Sequence, residues 1–309
     1  MRGFKTIKKQ PTQPQPQSQP QYEVADVLNK LGSKLEDLGL NSWQLRTLFA
    51  LKKCRTSALG GHIDACDECG NISISYNSCR NRHCPKCQGR NREDWIQTRE
   101  TELLPVPYFH VVFTLPEVLN KTALHEPKML YDILFESAWE TLQTFGKNKN
   151  LQMGMIAVLH TWGQNLSLHP HLHCIVPGGG VDENGAWKNI KNDGKFLFSV
   201  KALSKVFRAK FCEKLKANLK DKFNENQENE YEKIRQSLWE KPWVVYAKKP
   251  FGSPKSVVEY LGRYTHKIAI SNHRIRNIDA ENVTFDYKDY RQKGLRKQMT
   301  LSHEEFIRR

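Results

Sequence analysis

Histidines stand at every second position of LHPHLHCIV, residues 168–176. In an extended strand successive side chains alternate between faces, so His171 and His173 point the same way while Leu172 turns into the core. Two imidazoles on one face, about 6.5–7 Å apart at twice the strand rise, can grip one metal ion. His169 shares that face but stands one step further out, beyond easy reach of such an ion, and Pro170 is a candidate strand breaker. A third ligand is needed. Pairing MGMIAVLHTW (153–162) against the histidine strand, with the turn centred between Asn165 and Leu166, places His160 opposite His171. Gln164, nearer the turn, and the more distant His266 are the alternatives.

A second set of ligand types lies upstream. CDEC (Cys66, Cys69) and CPKC (Cys84, Cys87) are two CxxC knuckles separated by fourteen residues, close to the spacing of tetrahedral zinc sites. Gly70 permits the tight turn after the first knuckle. Cys79 and His83 lie between the knuckles, and Cys54 and His62 just before them, so eight candidate ligands fall within residues 54–87 and could fill one or two sites. The expected zinc is structural, because four thiolates close the coordination shell and leave no open position for a substrate. The cations of CRNRHCPKCQGRNR around it suit DNA phosphates.

The third set is SPKSVVEYLGRYTHK, residues 253–267. Serine followed by proline is a good helix start. On such a helix Tyr260 and Tyr264, four apart, share a face and flank the apolar stripe of Val257, Val258, Leu261, Thr265 and Ile268. Their hydroxyls can emerge at the edge of a packed helix, while His266 falls on nearly the opposite side.

These positions need a frame. With 309 residues, 39% of them hydrophobic, the chain can bury an ordinary core and is long enough for two domains. The sequence has no apolar run long enough for a membrane span, and MRGFKTIKKQPTQ lacks the apolar centre of a signal peptide. The expected location is cytoplasmic, where clustered cysteines bind metal more often than they form disulfides. The net charge of +15 favours a polyanionic partner, most simply nucleic acid. Residues 241–276 carry eight basic side chains against the single acid Glu259, among them Lys248, Lys249, Arg263 and Lys267, which are the candidate DNA contacts.

The Pro/Gln-rich stretch 1–21 is expected to be a disordered tail. Helices follow from 22 to 53, with Asn41 and Ser42 as a candidate cap, and the helical and zinc-binding module is placed at 22–99. From FHVVFTLP onward strand-like and helical runs alternate, giving a second domain at 100–309. The polar ENQENEYE (225–232) reads as an exposed joint. The expected class is α+β.

Taken together, SCRNRHCPKCQ, HTWGQNLSLHPHLHCIVPGGG and YLGRYTHKIAISN resemble the insertion-sequence-91 family of two-tyrosine rolling-circle transposases, within the HUH endonucleases. The resemblance runs from about residue 40 to the end. It implies an HUH-type antiparallel sheet backed by helices, His171 and His173 as the pair binding a catalytic Mg²⁺ or Mn²⁺, and Tyr260 and Tyr264 as nucleophiles. The cysteine segment is then the family's zinc-binding domain, and the partner is single-stranded DNA at transposon ends and target. Relatives whose third ligand comes from the preceding strand support His160. Family members continue beyond the position matching IRR, so a carboxy-terminal segment is expected to be missing here. Two other classes compete: a zinc-dependent DNA-binding protein without catalysis, and a zinc metallohydrolase of a small substrate, which needs a well-placed catalytic Asp.

Overall fold

A computed structural model describes residues 19–190, 197–219, 225–248, 254–265, 268–289, 292 and 294–309. In chain order the elements are α1 (Val24–Leu31), α2 (Ser42–Lys53), β1 (Gly61–Ala65), β2 (Ile72–Tyr76), α3 (Gln88–Glu100), β3 (Tyr108–Thr114), α4 (Asn120–His125), α5 (Pro127–Lys147), β4 (Ile156–Trp162), β5 (Leu168–Pro177), β6 (Gly179–Val181), β7 (Trp187–Asn189), α6 (Val200–Leu219), α7 (Glu225–Glu240), β8 (Val245–Lys248), α8 (Pro254–Thr265), β9 (Ile275–Ile278), β10 (Asn282–Asp289), β11 (Leu295–Ser302) and α9 (His303–Arg308). The fold is α+β with antiparallel sheets, as expected. Most of the expected Pro/Gln-rich tail lies outside the described residues.

The sheet that carries the histidines has the strand order β4-β5-β3-β8, every neighbour antiparallel. Period-two patterning assigns its faces. Phe109, Val111, Phe113, Leu172, Cys174 and Val176 point to one side and form a core with Leu130, Leu134 and Leu142 of α5 and Phe207 and Phe211 of α6. The other side is covered at one end by Val257 and Val258 of α8 and Ile96 of α3, which pack on Tyr108 and Ile175. The opposite end of this second face stays open, and the histidines lie there.

A second core has a less obvious composition. Val27 and Leu28 of α1 and Leu35 just after it pack against Ile275, Val283 and Phe285 of the β9–β11 sheet and Phe306 of α9, with Cys54, Cys84 and Cys87 in the same cluster. The first helices and the last sheet, far apart in sequence, therefore share one interior. The Val24 N–H donates to Asn272 Oδ1 at 3.1 Å across it. The cap expected at Asn41 is present: its side chain accepts from the Gln44 N–H, and the Gln44 side chain accepts from the Asn41 N–H, both at 2.9 Å.

Two local expectations are corrected. ENQENEYE is not a joint but the first half of α7. Glutamate and glutamine favour helix, and Ile234 and Leu238 further along anchor the helix to the main core, so polarity alone misread it. Pro170 does not break β5 either. A bulge between His160 and Trp162 interrupts the ladder opposite it, where proline's missing N–H is tolerated.

Candidate functional site

The β4–β5 hairpin brings His160 directly opposite His171, the register expected from the turn position. The ligand nitrogens of His160, His171 and His173 all lie within 4.8 Å of one another, with Nε2 of His171 and His173 3.1 Å apart. Nitrogens held at about 2.0–2.1 Å from one ion stand roughly 3–3.4 Å apart, so the two imidazoles already fit a shared cation. His169 lines the same cleft but stays outside this group. So does Gln164, whose backbone carbonyl accepts from the Arg274 guanidinium. His266 lies outside the described residues.

Neighbouring groups fix how each ring presents itself. Nδ1 of His171 lies 2.6 Å from the His169 carbonyl. A carbonyl only accepts, so Nδ1 carries the proton and Nε2 keeps its lone pair for a metal. Nδ1 of His173 lies 2.8 Å from Nε2 of buried His110, the rings stacked within 7° of parallel. That contact commits Nδ1 of His173 and leaves its Nε2 facing His171. Trp162 stacks on His160 at 5.4 Å and sets that ring's plane.

The three histidines line an open cleft of about 650 Å³ together with His110, Trp162, Tyr246 and Tyr260. Tyr260, on α8, makes an edge contact with His110 at 5.1 Å between ring centres. Tyr264 lies one turn further along α8, and its side chain falls outside the described residues. The same holds for the side chains of Lys248 at the end of β8 and Arg263 on α8, and for Lys249 and Lys267 altogether. His110 and Tyr246 were not legible as site residues. Their positions follow from β3 pairing with both β5 and β8, and a lone histidine in FHVVFT carries no sign of that.

The cysteine cluster holds three of the expected ligands, Cys79, Cys84 and Cys87, and takes Cys54 as its fourth member. Cys54, Cys79, Cys84 and Cys87 gather with all four sulfurs within 4.8 Å, and Sγ of Cys87 is 3.5 Å from that of Cys54 and 3.7 Å from that of Cys79. Four sulfurs tetrahedrally placed about 2.3 Å from zinc stand roughly 3.8 Å apart, so the donor set fits that ion. Burial pushes the Cys79 thiol up to about 11 and that of Cys84 higher still. Thiols crowded and buried in this way need a cation before they can ionise together.

Cys66 and Cys69 are not in this cluster, and neither is His83. The two cysteines sit exposed in the turn between β1 and β2, and a five-residue strand rising about 17 Å carries them away from the body. His83 packs edge-on against Trp43. The doubled CxxC spacing implied one shared ion, whereas Cys54, at the end of α2, and Cys79 take the places of the first knuckle.

Residues 154–309 match the family model described as "Putative transposase", and residues 26–115 the one described as "Transposase zinc-binding domain". "Putative transposase y4qJ" of Sinorhizobium fredii is 44% identical over 300 residues, covering 93% of this chain and 75% of that protein. The transposase for insertion sequence element IS801 of Pseudomonas savastanoi pv. phaseolicola is 29% identical, covering 88% of this chain and 67% of that one. Among solved structures, the conjugative relaxase TrwC in complex with mutant oriT DNA overlaps 64% of this chain and 66% of its own at 11% identity. Its TM-score of 0.29 is too low to carry an argument. On the two family matches and the 44% identity to y4qJ, the chain belongs to the insertion-sequence-91 family of transposases, with that family's zinc-binding domain in its first part.

Proposed function

We propose that the protein is a metal-dependent single-strand DNA endonuclease and strand transferase that acts through a 5′-phosphotyrosine intermediate in rolling-circle transposition. The observation that carries this reading is the convergence of His160, His171 and His173 on one open cleft that Tyr260 also lines. Three imidazoles favour a first-row transition ion such as Mn²⁺ over Mg²⁺, which prefers oxygen ligands. When bound, such an ion would polarise the scissile phosphate and stabilise the charge developing at phosphorus.

The chain's own residues do the rest. A tyrosine hydroxyl, ordinarily with a pKa near 10, is a weak nucleophile at neutral pH and must be held against the phosphorus. α8, packed on the sheet through Val257 and Val258, holds Tyr260 at the cleft wall. Attack by its Oη forms the phosphorus–tyrosine bond, releases the tyrosine proton and breaks the bond to the 3′ oxygen, which leaves as a hydroxyl. Tyr264, one helical turn away at about 6 Å along the axis, is the proposed second nucleophile, so that one tyrosine holds a donor end while the other cuts or accepts a strand. Lys248, Lys249, Arg263 and Lys267 are the proposed phosphate contacts, and exposed Tyr246 is suited to stacking a base.

Two competing readings are separable. A small-substrate metallohydrolase needs a general-base carboxylate, and among the described residues no Asp or Glu lines the cleft. A purely DNA-binding protein is separated by incubating a single-stranded oligonucleotide from a transposon end with the protein and Mn²⁺ on a denaturing gel. The expected result is a nicked product and a covalent adduct at the 5′ phosphate. Tyr260→Phe or Tyr264→Phe alone still forms an adduct but fails to transfer a strand between two ends, and the double variant binds DNA without forming one. An adduct in the double variant places the nucleophile elsewhere; no nicking by the wild type leaves the DNA-binding reading.

A further inference from the structure

β1 and β2 pair in the register Ile63↔Ile74 and Ala65↔Ile72. Directly paired residues share a face, so Ile63, Ala65, Ile72, Ile74 and Tyr76 lie on one side, opposite His62, Asp64, Ser73 and Ser75. That apolar side is bare: Ile63 is 71% exposed, Ile72 66%, Ile74 63% and Tyr76 46%. A two-stranded hairpin is marginal in water by itself, and a contiguous exposed apolar face marks an interaction surface.

The turn of the same hairpin carries the Cys66–Cys69 knuckle. The Cys66 N–H donates to the Asn71 carbonyl at 2.9 Å and the Gly70 N–H to the Cys66 carbonyl at 2.8 Å, with Gly70 at φ 66. Two thiolates are half of a closed zinc shell, and among the described residues no further His, Cys, Asp or Glu gathers with them into a ligand group.

We propose that this hairpin is a self-association clasp, in which the Cys66–Cys69 knuckles of two copies of the chain share one zinc ion and the apolar hairpin faces pack on each other. A two-fold axis supplies from the second copy the same two donors the first one has, completing four. As the ion binds, each thiol gives its proton to solvent. DNA is a poor occupant, because residues 56–79 contain Asp64, Asp67 and Glu68 and no Lys or Arg in a chain of net charge +15. The like charges of Asp67 and Glu68 at the joint are exposed to solvent, where screening limits their cost. One hairpin face falls well short of the roughly 800 Å² per partner of a stable interface, so the metal must carry much of the association. The dimer is therefore chelator-sensitive. The clasp is independent of the nuclease reading.

Light scattering on the full chain in reducing buffer, with zinc measured on the same peak, tests it. The expected species is a dimer holding about 1.5 zinc ions per chain, one in the four-cysteine site and half of a shared ion. Cys66→Ser/Cys69→Ser becomes a monomer with about one zinc. Should that variant misfold, Ile63→Asp/Ile74→Asp, at exposed positions, weakens dimerisation at least about tenfold by burying charge in the joint. A wild-type monomer at any zinc content overturns the clasp, as does a dimer unchanged in both variants. Loss of DNA binding in the hairpin variants of a monomeric protein overturns it too, and makes the hairpin a DNA contact.

Discussion

A histidine can bind metal only through a nitrogen that is not already protonated, and in this cleft the neighbours decide which nitrogen that is. His110 acts through His173, holding Nδ1 at 2.8 Å so that Nε2 faces His171. His110→Ala is expected to weaken Mn²⁺ binding about 10–100-fold, while His171→Ala or His173→Ala abolishes both metal binding and nicking. Calorimetric Mn²⁺ titration checks the first, and nicking at saturating Mn²⁺ distinguishes positioning from ligation, since only the positioning variant recovers activity. At the cysteines, Cys54→Ser or Cys84→Ser removes the zinc of the four-cysteine site and unfolds the segment around it, because metal binding there supplies folding energy. Cys66→Ser leaves that site filled. Zinc retained by both Cys54→Ser and Cys84→Ser would remove the site. The histidine pair was legible in the sequence because its signal is local: alternation puts positions 171 and 173 on one face whatever the rest of the chain does. The cysteine cluster was legible but for Cys54, since joining Cys54 to Cys79 depends on where α2 ends relative to residues 79–87, and no spacing rule encodes that.

The elements hold these residues through contacts that connect the two cores. Leu166, at the tip of the β4–β5 turn, is buried in the second core with Ile275, Val283 and Cys84, at a φ of 64 that side chains rarely adopt. The Arg274 guanidinium donates to the Gln164 carbonyl from the same body, and Arg309 to that of Asn165 at 3.4 Å. The turn that sets His160 opposite His171 is thus gripped by the interior that also contains the cysteine cluster. Leu166→Ala is expected to cost about 2–5 kcal/mol of stability, measured by urea unfolding, and to weaken Mn²⁺ binding, since a strand slip of one residue would turn His160 to the other face. A variant that is destabilised but binds Mn²⁺ normally would show that the hairpin keeps its register without the turn. The strands and helices themselves were largely legible from periodicity and caps. The packing of α1 on β10 was not, because nothing in either segment names a partner some 250 residues away.

At the scale of the whole molecule the charge is the largest feature, and it is unevenly spread. Residues 56–79 contain no Lys or Arg, whereas residues 241–276, which contain α8 and border the histidine cleft, hold eight basic side chains and one acid. A single strand drawn to that side passes the proposed metal site, while the hairpin with its exposed knuckle is left free for a protein partner. Each phosphate contact on a single strand contributes about −0.7 to the slope of log affinity against log salt, so four contacts by Lys248, Lys249, Arg263 and Lys267 give roughly −3. Fluorescence anisotropy of a labelled oligonucleotide between low and physiological salt reads that slope. Replacing Lys248 with Ala should bring it closer to zero by about 0.7 and weaken binding equally for all sequences, because a phosphate contact positions the strand and reads no base. An unchanged slope in all four single alanine variants, with the wild type still steep, would move the DNA path to another basic surface.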